Sequence, residues 1–394
     1  MVSGERIKRR QFIPVRNYPS VPEPPTNLHV GVLCNPIWLS RRNRIQAGKH
    51  LSVLEKLVKA GENAGVSCFL FGLKDMNFQT RQVKGYRLVN SQWSPALLPL
   101  PDVVYDQVIS RKLERSPAYQ EMRAQLERVY GPRLFNHGFF DKWQVHQWLS
   151  ADSRIRKHVP MTIRYSHVNE AAKFAKKFPT TFLKPLHGSL GLGIMRLCQL
   201  ADGSVTYDIK RVKQGPLHGK STSAEEAIRG FRGRMGTRPY VLQQGIPLAT
   251  YKNRPFDVRI LLQRDGSGGW KRTKMFARVA SSGDFTSNLS SGGEALPVNA
   301  VLEEMGISRE RSQRTLRTIR QVSRIVTGVI EEQSGTNFGE LGLDIGIDEQ
   351  GGVWVIEVNS KPWKSPVTEK GRQDLVDLAF ARPMQYAIWL AEHK

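Results

Sequence analysis

The segment GELGLDIGIDEQGGVWVIEVNSKP, residues 339–362, constrains this chain more than any other. Two β-rich apolar runs flank DEQGG, the pattern of a hairpin. Successive strand side chains point to opposite faces, so Glu357 and Asn359 share one face. An even-length loop centred between Gln350 and Gly351 predicts that Asp348 pairs with Val353 and that Asp344 lies opposite Glu357. Their β-carbons would then be about 4.5–5.5 Å apart. Leu343, Ile345 and Ile347 meet Trp354, Ile356 and Val358 on the other face, which becomes the core. An odd-length loop would break this register.

Two opposed carboxylates repel, and a divalent cation converts that repulsion into binding. Asp344, Glu357 and Asn359 offer the hard oxygens that magnesium accepts alongside nucleotide phosphates. Gly342 and Gly346 flank this acidic face and are expected to leave room above it. A plain solvated edge face is the alternative.

A metal of this kind shares its shell with phosphates, so an anion-holding segment is expected elsewhere. TTFLKPLHGSLGLGI fits: Lys184 ends an apolar strand, and Gly188, Ser189, Gly191 and Gly193 follow. Glycines let backbone N–H groups turn toward an anion, and the lysine adds a point charge. The spacing is neither a P-loop nor a dinucleotide fingerprint, and a strand rather than a helix follows. An ordinary hairpin turn competes with this reading, and His187 reads as a loop residue. Asp141-Lys142-Trp143 opens a helix.

The surroundings are those of a large α/β and α+β protein. With 394 residues, 40% of them hydrophobic, the chain suggests two to three domains. Residues 1–27 are basic and proline-rich and are expected to be a flexible leader; 28–130 carry a strand, helix, strand pattern with a helix from Ile45 to Asn63 and a third strand at PDVVYDQVI. Further on, a capping box at Ser223 to Glu226 opens one helix, and a long helix runs from about Ser308 to Ser334. That helix turns Arg311, Arg314, Arg317, Arg320 and Arg324 away from its apolar side, as a solvated face or as a docking face for an acidic partner.

The net charge of +24 favours anionic partners. Specific nucleic-acid binding is disfavoured, because no interleaved aromatic platform accompanies the charge. Cys34, Cys68 and Cys198 are odd in number and have no zinc spacing, so buried thiols in a reducing compartment are expected. No run approaches the ~20 apolar residues of a membrane span. The expected location is the cytosol.

Several separated elements, taken in order, resemble the ATP-grasp ligases: Lys142 at a helix start, Lys184 before the glycine loop, VLQQGIPL, FDVRILL, FARVA, SNLSSGG, and Asp344 with EVN. The resemblance spans about residues 131–370. Within that superfamily FNHGFFDKWQVHQWL, FDVRILLQRDGSGGW and SNLSSGGEALPV are similar to the YheC/YheD group, described as endospore coat-associated.

The resemblance implies an ATP-grasp fold over 131–394, with a lid subdomain near 162–245 and a metal-binding core subdomain near 246–394, behind an N-terminal α/β domain. It implies an ATP- and Mg-dependent carboxylate–amine ligase working through an acyl phosphate, with manganese as an alternative metal; a non-catalytic ATP-binding scaffold of the spore coat is the rival. Lys142 and Lys184 would contact phosphates, Gly188 to Gly193 would form a flap, and Gln243, Gln244 and Ile246 would hold adenine by backbone groups. Asp344, Glu357 and Asn359 would hold the metal. Arg259, Arg278 and Asn288 would face the transferring phosphoryl group. Other implied partners are an unknown carboxylate and amine, with an acidic peptide or cell-wall fragment fitting the charge, and spore coat proteins. Tyr240 to Tyr251 lacks the acidic residue that many such hinges place near ribose.

Overall fold

A computed structural model of the chain describes residues 27–39, 44–46, 50–188, 192–211, 215–281, 292–364 and 372–393. Ser189, Gly191, Asn288 and the segment 1–26 lie outside the described residues. The chain divides into two compact units, one ending at Asp102 and the other starting at Val103.

In the first unit, β1 (His29–Leu33) pairs in parallel with β2 (Ser67–Phe71). The crossover between them is α1 (Leu51–Asn63), which buries Val53, Leu54, Leu57 and Val58. This helix starts later than Ile45, because Ile45 is taken up in a short antiparallel pairing opposite Trp38. The periodicity reading also missed a hairpin of β3 (Gln82–Val89) with β4 (Gln92–Pro99). Its two-residue turn is Asn90-Ser91, both at positive φ (49° and 62°), the type I′ geometry that matches strand twist.

The second unit opens with β5 (Val103–Asp106), then α2 (Arg111–Glu114), α3 (Pro117–Tyr130), β6 (Leu134–Phe135) and α4 (Lys142–Ala151). Two antiparallel sheets follow. The first contains β7 (Thr162–Arg164), β8 (Thr180–Pro185), β9 (Met195–Gln199), β10 (Val205–Ile209), β11 (Leu217–Ser221) and β12 (Tyr240–Gln244), in the order β7-β12-β8-β9-β10-β11. Phe174, Ile228 and Phe231, from α5 (Val168–Ala175) and α6 (Ala224–Met235), pack in the same core cluster as Leu183, Leu197 and Leu242 of the sheet. Ser223 Oγ caps α6 by accepting from the Glu226 N–H at 3.2 Å, while the Glu226 carboxylate reaches the Thr222 N–H at 2.8 Å.

The second sheet contains β13 (Arg254–Arg264), β14 (Trp270–Val279), β15 (Glu294–Leu296), β16 (Glu340–Ile347) and β17 (Val353–Asn359), in the order β15-β14-β13-β16-β17. After α7 (Val298–Glu304), α8 (Arg309–Ser334) packs Ile319, Val322, Val326 and Val329 into the same core as Leu343, Ile345 and Ile347. Its five named arginines are exposed.

Candidate active site

The β16–β17 hairpin sets Asp344 opposite Glu357, as expected, but by a different route. The turn is odd: Asp348 N–H donates to the Gly352 carbonyl at 2.9 Å across Glu349, Gln350 and Gly351, with Gly351 at φ +82°. Asp348 closes it by accepting from the N–H groups of Gln350 (3.0 Å) and Gly352 (2.6 Å). Ile347 therefore faces Val353 and Ile345 faces Val355. A bulge at Ile356 then supplies the missing step. Turn and bulge are each one residue out of phase, and together they restore the pairing. The core residues of β17 are accordingly Val353, Val355 and Val358; Trp354 and Ile356 are only half-buried, and Trp354 Nε1 donates to Asp348 at 2.8 Å.

The space expected above the flanking glycines is also filled. A β-carbon at Gly342 would come within 2.8 Å of Pro362, and one at Gly346 within 2.6 Å of Leu248. Gly342 instead permits a close approach: the Arg259 guanidinium carbon and the Asn359 β-carbon each lie 3.6 Å from that position.

Cross-strand register brings the arginines in. Arg259 on β13 stands opposite Asp344, and Arg278 on β14 stands opposite Asp257. Arg259 Nη1 donates to Asp344 Oδ1, and Arg278 Nη2 lies 3.0 Å from Asp344 Oδ2. Arg278 also grips Asp257 through two bonds, of 2.7 and 2.6 Å. Asp257 was missed by sequence reasoning, although it lies two residues before Arg259 and so on the same strand face. Burial would raise the Asp344 pKa, but Arg259 and Arg278 outweigh it and hold it down to about 2.

A carboxylate with a lowered folded-state pKa contributes stability above its ordinary value of 3.8 and loses it as the pH falls toward 2. The stability difference between the natural protein and Asp344→Asn should therefore shrink by about 2 kcal/mol from pH 5 to pH 2. Urea unfolding across that range checks this; a gap that stays flat with pH sinks it.

Lys142 and Lys184 complete the cluster. Asp141 caps α4 by accepting from the Gln144 N–H at 2.7 Å, which fixes the helix start. From there Lys142 Nζ reaches Glu357 Oε1 (2.7 Å) and the Gly188 carbonyl (3.3 Å). Lys184 Nζ donates to Gln243 Oε1 at 2.5 Å. Burial, with Lys142 nearby, lowers the Lys184 pKa to about 8, opposed by Glu357 and Asp344. Gly193 has φ +73° and its carbonyl accepts from the Tyr240 hydroxyl at 3.1 Å.

Gln243, Gln244 and Ile246 occupy the end of β12 and the chain just beyond it. Gln243 lies between Thr162 and Phe182 in the ladder, the Gln244 N–H donates to Met161 at 2.8 Å, and the Ile246 carbonyl accepts from Leu248 at 2.8 Å.

Asp344 uses each oxygen once, on a guanidinium, and Glu357 uses Oε1 on Lys142. Each carboxylate oxygen retains a second lone pair, and Asn359 makes no side-chain hydrogen bond among the described residues. This all-oxygen set fits a hard divalent cation. No group of three or more His, Cys, Asp or Glu able to hold a metal occurs among the described residues, and a metal here would take Asn359 as its third oxygen donor.

The strand ends are clasped from below. Asn136 donates to the carbonyls of Glu340 (2.8 Å) and Ser360 (2.6 Å) and accepts from the N–H groups of Gly339 (2.8 Å) and Glu340 (3.0 Å). Just beyond Asn359, Lys361 reaches Asp106 (2.8 Å) and Glu114 (3.0 Å), and Lys364 pairs with Glu340. Sequence reasoning missed these buried pairs; two lysines inside SKPWK, next to the candidate ligands, were the available signal.

Comparisons with known proteins bear on the family and the fold. Two Bacillus subtilis (strain 168) proteins are similar to the chain: endospore coat-associated protein YheD, 28% identical over 337 residues (86% of this chain, 73% of that protein), and endospore coat-associated protein YheC, 26% identical over 316 residues (79% and 85%). Among solved structures, D-alanyl-alanine synthetase A from Vibrio cholerae O1 biovar eltor str. N16961 superposes with TM-score 0.51 at 12% identity, covering 93% of this chain and 98% of its own. VanG D-Ala:D-Ser ligase from Enterococcus faecalis gives 0.51 at 12% identity, covering 93% and 100%. At such identity these two show a common fold. No described helix is long and apolar enough to cross a membrane. A family model described as YheC/D like ATP-grasp matches residues 131–390, so the chain belongs to the YheC/D-like ATP-grasp family.

Proposed function

We propose that the chain is an ATP- and magnesium-dependent ligase that joins a carboxylate to an amine through an acyl phosphate. One observation carries this reading: Asp344 and Glu357 oppose each other on one sheet face, with Asn359 beside them and Arg259, Arg278 and Lys142 in contact with the pair. Asp344, Glu357 and Asn359 would hold the metal, which supplies charge neutralisation at the phosphates. Lys142 and Lys184 would contact the phosphates, with Gly188 and Gly193 bounding the flap and Gln243 to Ile246 along adenine. Arg259 and Arg278 would face the charge that develops during phosphoryl transfer, joined by Asn288. Within the family region, the first sheet would serve as lid and the second as metal-binding core.

The similarity to two endospore coat-associated proteins supports a further proposal, that the activity belongs to spore-coat formation.

Saturating Mg-ATP should raise the unfolding temperature of the natural protein. At a hundredfold excess over Kd the stabilisation is about 2.7 kcal/mol. Asp344→Ala combined with Glu357→Ala should abolish the shift while leaving a cooperative transition. An equal shift in both proteins, or none in the natural one, would falsify the proposal.

A further inference from the structure

Beside the start of α4 lies a cavity of about 320 Å³ whose lining includes Arg111, Arg115, Phe139, Asp141, Gln144 and His187. Its negative groups are already engaged. Glu114, also in the wall, is turned to Lys361, and Asp141 caps α4. Two arginines of the wall make no direct ion pair among the described residues. The half-buried Arg111 guanidinium lies 4.2 Å over the Phe139 ring and donates to the Phe140 carbonyl at 3.2 Å. No carboxylate pairs with it among the described residues. Arg115, four residues on, is exposed and makes no ion pair among the described residues.

The His187 imidazole registers the resulting field. Burial lowers its pKa first, then Arg115; Asp141 opposes, and Arg111 and Lys142 lower it further. His187 also precedes Gly188, whose carbonyl Lys142 holds, so the cavity shares a wall with the cation cluster.

Glu114, Glu357 and Asp141 act on Arg111 only through space, and a guanidinium drawn partly out of water onto an aromatic face gains most from a ligand whose carboxylate bonds it directly. The planar fork matches a carboxylate bidentately. We propose that this cavity binds a second carboxylate of the acid substrate, held by Arg111 and Arg115 apart from the carboxylate that is activated. The substrate class is then an oligocarboxylate, with acidic peptides as the source. This assignment rests on the ligase reading of the neighbouring site.

Calorimetric titration of the full chain with tetraglutamate, without nucleotide, tests it. Binding is expected, weakened about tenfold by Arg115→Gln and by Arg111→Met, and absent with tetraglutamine. Arg111 is half-buried, so the exposed Arg115→Gln decides the matter if Arg111→Met unfolds. No tetraglutamate binding, binding that Arg115→Gln leaves unchanged, or tighter binding of inorganic phosphate at the same arginines overturns the proposal. The Mg-ATP thermal shift on the same samples separates the two readings. A shift without tetraglutamate binding removes the cavity assignment alone; binding without a shift removes its standing as a substrate site.

Discussion

Lys364→Met should destabilise the second unit by about 3–5 kcal/mol, the range seen when one partner of a buried ion pair is removed. Glu340 is 0% exposed and Lys364 2%. The ammonium meets the Glu340 carboxylate and the Tyr105 hydroxyl (2.6 Å), while Gln263 donates to the other carboxylate oxygen at 3.0 Å. Without Lys364 the carboxylate keeps only neutral donors in a place water does not reach. Glu340→Gln added to Lys364→Met should recover most of the loss, because an amide carries no charge to leave uncompensated. Urea unfolding of the four proteins forms a double-mutant cycle. A loss that the second substitution leaves untouched would assign Lys364 to packing instead.

Arg278→Met should lower ADP release by about 10²–10³-fold, the size of effect that follows loss of a preorganised charge facing a transition state. Tetraglutamate as acid and hydroxylamine as amine provide the assay under the proposed reading, since hydroxylamine intercepts an acyl phosphate as a hydroxamate. Asp257→Asn should cost less, because Asp257 positions Arg278 through the two bonds of 2.7 and 2.6 Å and touches no reacting group under this reading. Urea unfolding in parallel separates lost folding from lost chemistry. A folded Arg278→Met protein with unchanged release would end the arginine's assigned role.

The parts of the site that were legible in the sequence were those governed by local periodicity. Alternation places Glu357 and Asn359 together, and a helix start places Lys142 at its tip. The turn resisted because loop length and strand register are separate quantities: Gly351 takes the left-handed conformation of a three-residue loop, and Ile356 compensates four residues after the loop closes at Gly352. No periodicity announces such a bulge. Asp257 was within reach, two residues from Arg259. Glu340, Lys361, Lys364 and Asn136 were not, because their partners are up to 259 positions away along the chain.

The balance of charge around Asp344 bears on the order in which ligands enter. Asp257, Asp344 and Glu357 stand against Arg259, Arg278, Lys142 and Lys184, which leaves one positive charge in excess. A bare divalent ion approaching that patch meets a repulsive field and two guanidiniums already on its ligand. A nucleotide carrying its metal is an anion and meets an attractive one. Under the proposed reading the ion arrives as cargo on the triphosphate, and selectivity for the complex over free metal is set by the two arginines and two lysines together before any coordination bond forms.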